Sequence, residues 1–179
     1  MITFRRIRTP DETLYRFMED LLVASFPIDE YRELPAFREY TDQKEHFYNT
    51  VILDENVPVG FITYWDLNDF FYVEHFAIDP ERRNGGYGKQ VLEWLQQTLN
   101  KPIVLEVEPP TEEIAGRRIA FYERHHFILW EHAYVQPPYR TGSKEIPMYL
   151  MVYGLLSPEK FPAVRSASYQ EVYGVGNEK

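Results

Sequence analysis

The chain has 179 residues, and its 19 Lys and Arg stand against 28 Asp and Glu, a formal net charge of −9. This balance argues against partners that present phosphates or anionic lipid, so neither nucleic acid nor a membrane surface is expected. Hydrophobic residues make up 44% of the chain, which excludes disorder throughout. Cysteine is absent, which excludes disulfides, a thiolate nucleophile and cysteine-ligated zinc. The sequence shows neither a signal peptide nor a bilayer-spanning run, so a cytoplasmic location is expected.

The first third of the chain alternates between strand and helix patterns. Residues 2–8 alternate apolar and basic side chains, which predicts a strand that ends before Pro10. Apolar residues at helical spacing over 14–21 predict a first helix, and residues 29–40 predict a shorter one, broken by Pro35. Two strands are then predicted, over 47–53 and 57–65, joined by the turn residues Asp54, Glu55 and Asn56.

The most apolar predicted strand covers residues 70–78. Strict alternation assigns its residues to two faces. One face would carry Phe70, Tyr72, Glu74, Phe76 and Ile78, and the other Phe71, Val73, His75 and Ala77. Both faces are mainly apolar, which predicts a central strand covered from both sides.

The second half continues the mixed pattern. Helices are predicted over 86–99 and 112–125, and strands over 102–107, 127–134 and 148–153. The proline-containing stretch 136–147 is predicted to be an ordered loop, and the tail from residue 157 has no legible pattern. This order predicts an α/β (mixed α+β) domain over 1–154, followed by a C-terminal extension over 155–179.

A glycine-rich segment follows the central strand and leads into a helix. Residues 82–89 read Arg-Arg-Asn-Gly-Gly-Tyr-Gly-Lys. Backbone N–H groups at such a helix start form an anion site, and glycine lets the backbone approach a phosphate closely. The alternative is a plain turn, with Gly88 small only for packing. The spacing is neither that of a dinucleotide-binding loop nor that of a P-loop.

The segment also carries a family resemblance. Arg83-x-x-Gly86-x-Gly88 resembles the Arg/Gln-x-x-Gly-x-Gly/Ala signature of the GNAT superfamily of N-acetyltransferases. The preceding residues 74–80 and the later block 121–127 are also similar to segments of that family, although Arg118 and His126 depart from its usual pattern. The resemblance implies a single domain with a central mixed, mostly antiparallel sheet and helices on both faces.

The resemblance further implies acetyl-coenzyme A as co-substrate and a primary amine, in a small molecule or a peptide, as acceptor. The residues implied to bind the co-substrate are Phe76, Ala77, Ile78, Arg83, Asn84, Gly85, Gly86, Tyr87, Gly88, Lys89 and Tyr122. Two alternatives stay open, a non-catalytic acyl-CoA-binding regulatory module and an acyltransferase with a different acyl donor. A homodimer is also left open, and no metal is expected.

Amine acetylation predicts which catalytic groups to look for. A lysine-like amine has a pKa of about 10.4 and needs a base at neutral pH. We expect Glu74 to be that base, with an apolar setting that raises its pKa, the alternative being a carboxylate satisfied by an arginine or backbone N–H groups. His75 is expected to face the other way and to be structural. The resemblance implies Tyr122 as the acid and the Phe76 N–H as the donor to the thioester oxygen.

A few other polar residues have weaker patterns. Glu106 and Glu108 share one strand face and could line an amine pocket, or be solvated or paired. Three tyrosines near the 136–147 loop, Tyr134, Tyr139 and Tyr149, could wall the acceptor site or pack in the core.

Overall fold

The computed structural model describes residues 1–176. It contains seven strands and five α-helices. The strands are β1 (Ile2–Arg6), β2 (Phe47–Asp54), β3 (Val57–Asp66), β4 (Phe71–Ile78), β5 (Ile103–Val107), β6 (Ile128–Gln136) and β7 (Ile146–Tyr153). The helices are α1 (Glu12–Ser25), α2 (Leu34–Gln43), α3 (Tyr87–Thr98), α4 (Glu113–Arg124) and α5 (Phe161–Glu171). None of the helices in the described part of the chain is long and apolar enough to cross a membrane.

All seven strands form one sheet in the order β1-β2-β3-β4-β5-β7-β6. Only the β4–β5 pair is parallel, and the other neighbours are antiparallel. A parallel neighbour requires a crossover connection, and here α3 supplies it. The predicted mixed, mostly antiparallel sheet is confirmed.

Helices cover both faces of the sheet, as the apolar central strand predicted. The first core contains α1, α2 and α5, for example Met18, Phe37 and Val164. The second contains α3, represented by Leu95, and α4, represented by Ile119. We call the side with α1, α2 and α5 the acceptor face and the side with α3 and α4 the cofactor face.

Two local predictions have different outcomes. The β2–β3 turn is the tight hairpin expected, with Glu55 and Asn56 both at positive φ (49° and 68°), the conformation that a two-residue turn of this hand requires. Pro35, in contrast, does not break the second helix. It lies in the first turn of α2, where its missing N–H costs no hydrogen bond, and residues 28–30 form a separate 3₁₀ turn.

The face assignment predicted for β4 is correct as far as Glu74 and wrong from His75 onward. The β3–β4 register shifts between Thr63 and Tyr64, so that Glu74 is an extra residue on β4. Such a bulge interrupts the alternation of faces. Glu74 and His75 therefore both lie on the acceptor face, and Phe76 and Ile78 pack with the cofactor-face core instead.

The C-terminal extension is structured over its described part. After β7 the chain forms a 3₁₀ turn over Pro158–Lys160 and then α5. Phe161 and Val164 of α5, and Val172 after it, are buried in the acceptor-face core. Residues 155–176 therefore extend the domain's own core, and their apolar spacing alone did not predict this.

Candidate active site

The sheet opens between β4 and β5. The two strands pair only from Phe71–Ile103 to Val73–Leu105, although β4 continues to Ile78 and β5 to Val107. Beyond Val73 each strand keeps its other neighbour, β3 or β7. The pairing of the two strands therefore ends in the middle of the sheet and leaves a gap, bordered by the residues that follow Val73 on β4 and Leu105 on β5.

The backbone N–H of Phe76 faces this gap. The His75 N–H donates to Thr63 Oγ1 (3.1 Å) and the Asp79 N–H donates to Val59 O (2.8 Å), both on the β3 side. Because N–H directions alternate along a strand, the intervening Phe76 N–H points away from β3. This arrangement agrees with the implied donor to a thioester oxygen.

The glycine loop lies at the end of β4 and forms the start of α3. Asn84 and Gly86 both have positive φ (70° and 74°), and Gly86 is the residue that caps the helix. The first N–H groups of an α-helix, here those of Tyr87, Gly88 and Lys89, have no partner within the helix. They form, with the positive end of the helix dipole, a site suited to phosphate.

The loop lines a cleft of about 270 Å³. Its walls are Ile78, Arg82, Arg83, Asn84, Gly86, Tyr87, Gly88, Lys89 and Phe121. Gly88 also lies close to the Phe121 ring, since a Cβ there would be 3.2 Å from Cζ. Most of the residues implied to bind the co-substrate are therefore together, whereas Ala77 is buried on the acceptor face.

The polar side chains of the loop mostly contact other parts of the protein. The Arg83 Nε is 3.4 Å from the Ile78 carbonyl, and the Tyr87 hydroxyl donates to Asp54 (2.6 Å). Lys89 is exposed and lies 3.8 Å from Glu93. The backbone N–H groups and the exposed side chains of Arg82, Arg83 and Lys89 are therefore both available to an anion.

Tyr122 of α4 is half-buried on the cofactor face. Its ring packs edge-on against Phe121 and Phe127, at centroid distances of 5.4 and 5.5 Å. Burial raises the pKa of Tyr122 to about 12, so its hydroxyl keeps its proton at neutral pH. Within residues 1–176, its hydroxyl has no hydrogen-bond partner.

Glu74 does not have the apolar setting that we expected. Its Oε2 accepts hydrogen bonds from Arg32 (2.5 Å) and Tyr139 (2.6 Å), and its Oε1 accepts one from Trp65 Nε1 (2.9 Å). Burial alone would raise the pKa of Glu74, but the Arg32 charge and these hydrogen bonds outweigh it, so the pKa lies below its usual value. The predicted upward shift is wrong, and the arginine alternative describes the site.

Glu106 of β5 is the other carboxylate at the gap, directly after the last residue paired with β4. Its Oε1 accepts hydrogen bonds from the hydroxyls of Tyr134 and Tyr173. Burial raises the pKa of Glu106 to about 7 despite these donors, and the nearby Glu74 charge adds to the increase.

The remaining candidates fall on different sides of the sheet. His75 is buried and its Nε2 is 2.8 Å from the Glu30 carbonyl, which agrees with a structural role. Tyr134 and Tyr139 touch the two carboxylates, but Tyr149 packs on the cofactor face.

Three residues of the site have no signal in the sequence. Arg32, Trp65 and Tyr173 reach Glu74 or Glu106 from positions 9 to 67 residues away along the chain. The only available hint was the presence of aromatic residues in the otherwise polar tail.

Known proteins with the same fold and loop identify the family. The model of the Acetyltransferase (GNAT) family matches residues 12–127, more than half of the chain. This chain therefore belongs to the GNAT acetyltransferase family.

Individual relatives agree with that assignment. A solved structure described as "Putative acetyltransferase from GNAT family from Bacteroides thetaiotaomicron" is 56% identical, covers 97% of this chain and 99% of its own, and has a TM-score of 0.94. The "Putative acetyltransferase YjbC" of Bacillus subtilis (strain 168) is 28% identical over 104 residues, 57% of this chain and 52% of that protein. The match to this curated relative thus spans about half of its length.

A more distant structure shares the fold alone. It is the spermidine N-acetyltransferase from Vibrio cholerae in complex with CoA and spermine, 19% identical, with a TM-score of 0.60 over 84% of this chain and 94% of its own.

Proposed function

We propose that this protein transfers the acetyl group of acetyl-CoA to a primary amine by direct attack, with Glu106 as general base and Tyr122 as general acid. The observation that carries the proposal is the position of Glu106, a half-buried carboxylate beside the β4–β5 gap whose pKa is raised to about 7. Glu106 takes the role predicted for Glu74, because the pKa of Glu74 is lowered by Arg32 and its three donors leave it little capacity to accept a proton.

The energetics of the reaction favour a base with such a pKa. A lysine-like amine of pKa about 10.4 is about 3.4 units from neutrality at pH 7, which costs roughly 4.6 kcal/mol. General base catalysis is most effective when the pKa of the base lies near the working pH. An α-amino acceptor, with a pKa of about 7.7 to 8.0, needs this help less.

The other groups have complementary roles. The backbone of residues 83–89 would hold the pyrophosphate of acetyl-CoA, and the Phe76 N–H would donate to the thioester oxygen. Glu106 takes one proton from the ammonium and so produces the neutral amine. As the new N–C bond forms and the C–S bond breaks, the Tyr122 proton goes to sulfur, and the second proton lost by the nitrogen returns Tyr122 to its neutral form through solvent. A pKa of about 12 keeps Tyr122 protonated until that moment.

The acceptor is an amine in a small molecule or a peptide. A net charge of −9 is compatible with a cationic acceptor. Polyamines are included among the candidates, because the Vibrio cholerae relative was solved with spermine.

Release of free CoA from acetyl-CoA tests the proposal, with spermine, lysine and a peptide α-amine as acceptors. With the best acceptor, Glu106→Gln should lower turnover by roughly 10²- to 10⁴-fold, the usual contribution of a positioned base. Its fold should persist, because the amide oxygen still accepts the two tyrosine hydrogen bonds.

Glu74→Gln is the matched comparison. This change leaves the buried Arg32 charge without its carboxylate, and removal of one partner of a buried pair costs about 3–5 kcal/mol of stability. Urea denaturation separates this loss from a loss of catalysis. A stable Glu74→Gln protein without activity, together with an active Glu106→Gln protein, would return the base role to Glu74. CoA binding without transfer to any amine would indicate the non-catalytic module instead.

A further inference from the structure

The described C-terminal residues after α5 are held in one conformation by the protein. Val172 is buried, and its carbonyl accepts a hydrogen bond from Arg32 Nη2 at 3.2 Å. Gly174 has a positive φ of 65°, which reverses the chain direction and lets the Val175 N–H donate to Tyr169 O at 2.8 Å. Tyr173, between Val172 and Gly174, is thereby fixed against the acceptor face.

The Tyr173 hydroxyl lies within a chain of hydrogen bonds that ends on Glu106. It donates to Glu106 Oε1 at 2.8 Å and lies 3.0 Å from the Tyr72 hydroxyl. A phenol has a single proton, so while Tyr173 donates to Glu106, the Tyr72 hydroxyl is the donor in the contact between the two tyrosines. Tyr72 also lies close enough to Glu106 to lower the pKa of this carboxyl as a donor. Tyr134 donates to Oε1 as well.

This geometry determines which oxygen of Glu106 can take a proton. Oε1 already accepts two O–H donors, and a proton added there would face both of them. Both of these hydrogen bonds are on Oε1, and none of the hydrogen bonds among residues 1–176 is made to Oε2. The third hydroxyl near the carboxyl, that of Tyr72, contacts the Tyr173 hydroxyl at 3.0 Å. A proton bound by Glu106 therefore resides on Oε2.

From these contacts we infer that Tyr173 is a positioning residue of the acetyl-transfer reaction, which fixes Oε1 of Glu106 and leaves Oε2 as the oxygen that receives the acceptor's proton. This inference rests on the proposed function, in which Glu106 is the base. It assigns a part of the reaction to the C-terminal segment, outside the strands and the glycine loop.

The groups around Glu106 predict the sign of a measurable effect. Its hydroxyl neighbours are Tyr72 on β4, Tyr134 on β6, Tyr139 in the β6–β7 loop and Tyr173, and the charged neighbour is Glu74, itself paired with Arg32. Donors to a carboxylate stabilise its charged form, so the loss of one donor raises the pKa. A hydrogen bond to a charged group contributes about 1.5–3 kcal/mol, equivalent to a shift of roughly one to two pH units.

Tyr173→Phe, with Tyr169→Phe as its control, tests the inference. The Tyr169 hydroxyl donates to Val135 O (2.6 Å) and not to Glu106, so its removal changes the same C-terminal region without touching the carboxylate. The carboxyl ¹³C signal of Glu106, assigned with Glu106→Gln, is titrated in each protein without substrates. We expect the midpoint to rise by about one pH unit or more in Tyr173→Phe and to stay at its wild-type value in Tyr169→Phe.

The pH profile of kcat gives the second measurement. Its acid limb should move upward by the same amount in Tyr173→Phe only, and Tyr134→Phe, which removes the other donor, should give the same upward shift. If Tyr173→Phe does not fold, the Glu106 titration midpoint is compared between Tyr134→Phe and Tyr169→Phe. This comparison still tests whether the loss of a hydroxyl donor to Oε1 raises the midpoint. An unmoved Glu106 midpoint in Tyr173→Phe would overturn the inference.

Two further outcomes have distinct meanings. A higher kcat and a lower KM in Tyr173→Phe, with the Glu106 midpoint unmoved, would indicate that the Tyr173 hydroxyl obstructs the acceptor site. That outcome would also overturn the inference. If Glu106→Gln retains wild-type turnover, the proposed function fails, and the substrate-free titration still reports whether Tyr173 acts on Glu106.

Discussion

Glu74 and Glu106 lie on adjacent strands and face the same side of the sheet, but their pKa values move in opposite directions. Glu74 has a guanidinium at 2.5 Å, which stabilises its charged form. Glu106 has only hydroxyl donors and a nearby negative charge, so burial dominates and its pKa rises to about 7. Of these two glutamates, Glu74 thus forms the ion pair with Arg32, and Glu106 is the candidate base.

Tyr122 permits a test that removes a single oxygen atom. In Tyr122→Phe the ring keeps its contacts with Phe121 and Phe127, and the lost hydroxyl has no partner among the described residues. The free energy of unfolding should therefore change by less than about 1 kcal/mol. If the hydroxyl protonates the leaving thiolate, kcat should fall by roughly 10²- to 10⁴-fold.

Tyr153→Phe is the control for this change, because Tyr153 also packs against the Phe127 ring, at a centroid distance of 5.7 Å, and has no proposed role. Steady-state kinetics and urea denaturation of both variants decide the matter. Equal turnover in the two variants would make Tyr122 an ordinary core residue.

At the scale of elements, the loop between β4 and α3 depends on backbone conformation more than on side chains. Gly86 has a φ of 74°, a region that β-branched residues avoid, and a Cβ at this position would meet no atom within 4 Å. A glycine is therefore required at position 86 because of the backbone conformation, and not because neighbouring atoms leave no room for a side chain.

Gly86→Val should consequently weaken acetyl-CoA binding far more than Arg83→Ala, since it distorts the N–H groups that begin α3. Calorimetric titration with acetyl-CoA measures both affinities. Gly142→Val is the matched control, because Gly142 also has a positive φ (85°) with no atom near its Cβ, but lies in the loop between β6 and β7. Equal losses for Gly86→Val and Arg83→Ala would show that the side chain, and not the backbone, carries the binding.

At the scale of the whole molecule, the raised pKa of Glu106 makes the stability of the fold depend on pH. Its pKa is raised from 4.5 to about 7 in the folded protein, so the folded state binds more protons than the unfolded chain between these values. The contribution of Glu106 to the free energy of unfolding is therefore fully present below about pH 4.5 and is lost as the pH rises through about 7.

Glu106→Gln removes this dependence. The free energy of unfolding of the wild type should fall relative to that of the variant as the pH rises across this interval, as measured by urea denaturation at a series of pH values. Curves that remain parallel would contradict a raised pKa. Glu74 has the opposite sign, because its lowered pKa gives stability that is lost as the pH falls.

Local patterns in the sequence predicted most of the fold. The order of strands and helices, the Glu55–Asn56 turn and the glycine loop after β4 all depend on residues within a few positions of each other. Hydrophobic periodicity and turn chemistry act over that range, so they can be read without a structure. Their agreement with one motif also identified the family.

The sequence by itself therefore determined the family, the element order and the position of the glycine-rich loop after β4. Only the tertiary structure decided the chemistry of the two carboxylates. A one-residue bulge turned Glu74 and His75 to the same face, Arg32 reached Glu74 from 42 positions away, and Tyr173 reached Glu106 from 67 positions away. The pKa of a buried group depends on its desolvation and on the charges and donors around it, and these neighbours come together only when distant segments pack.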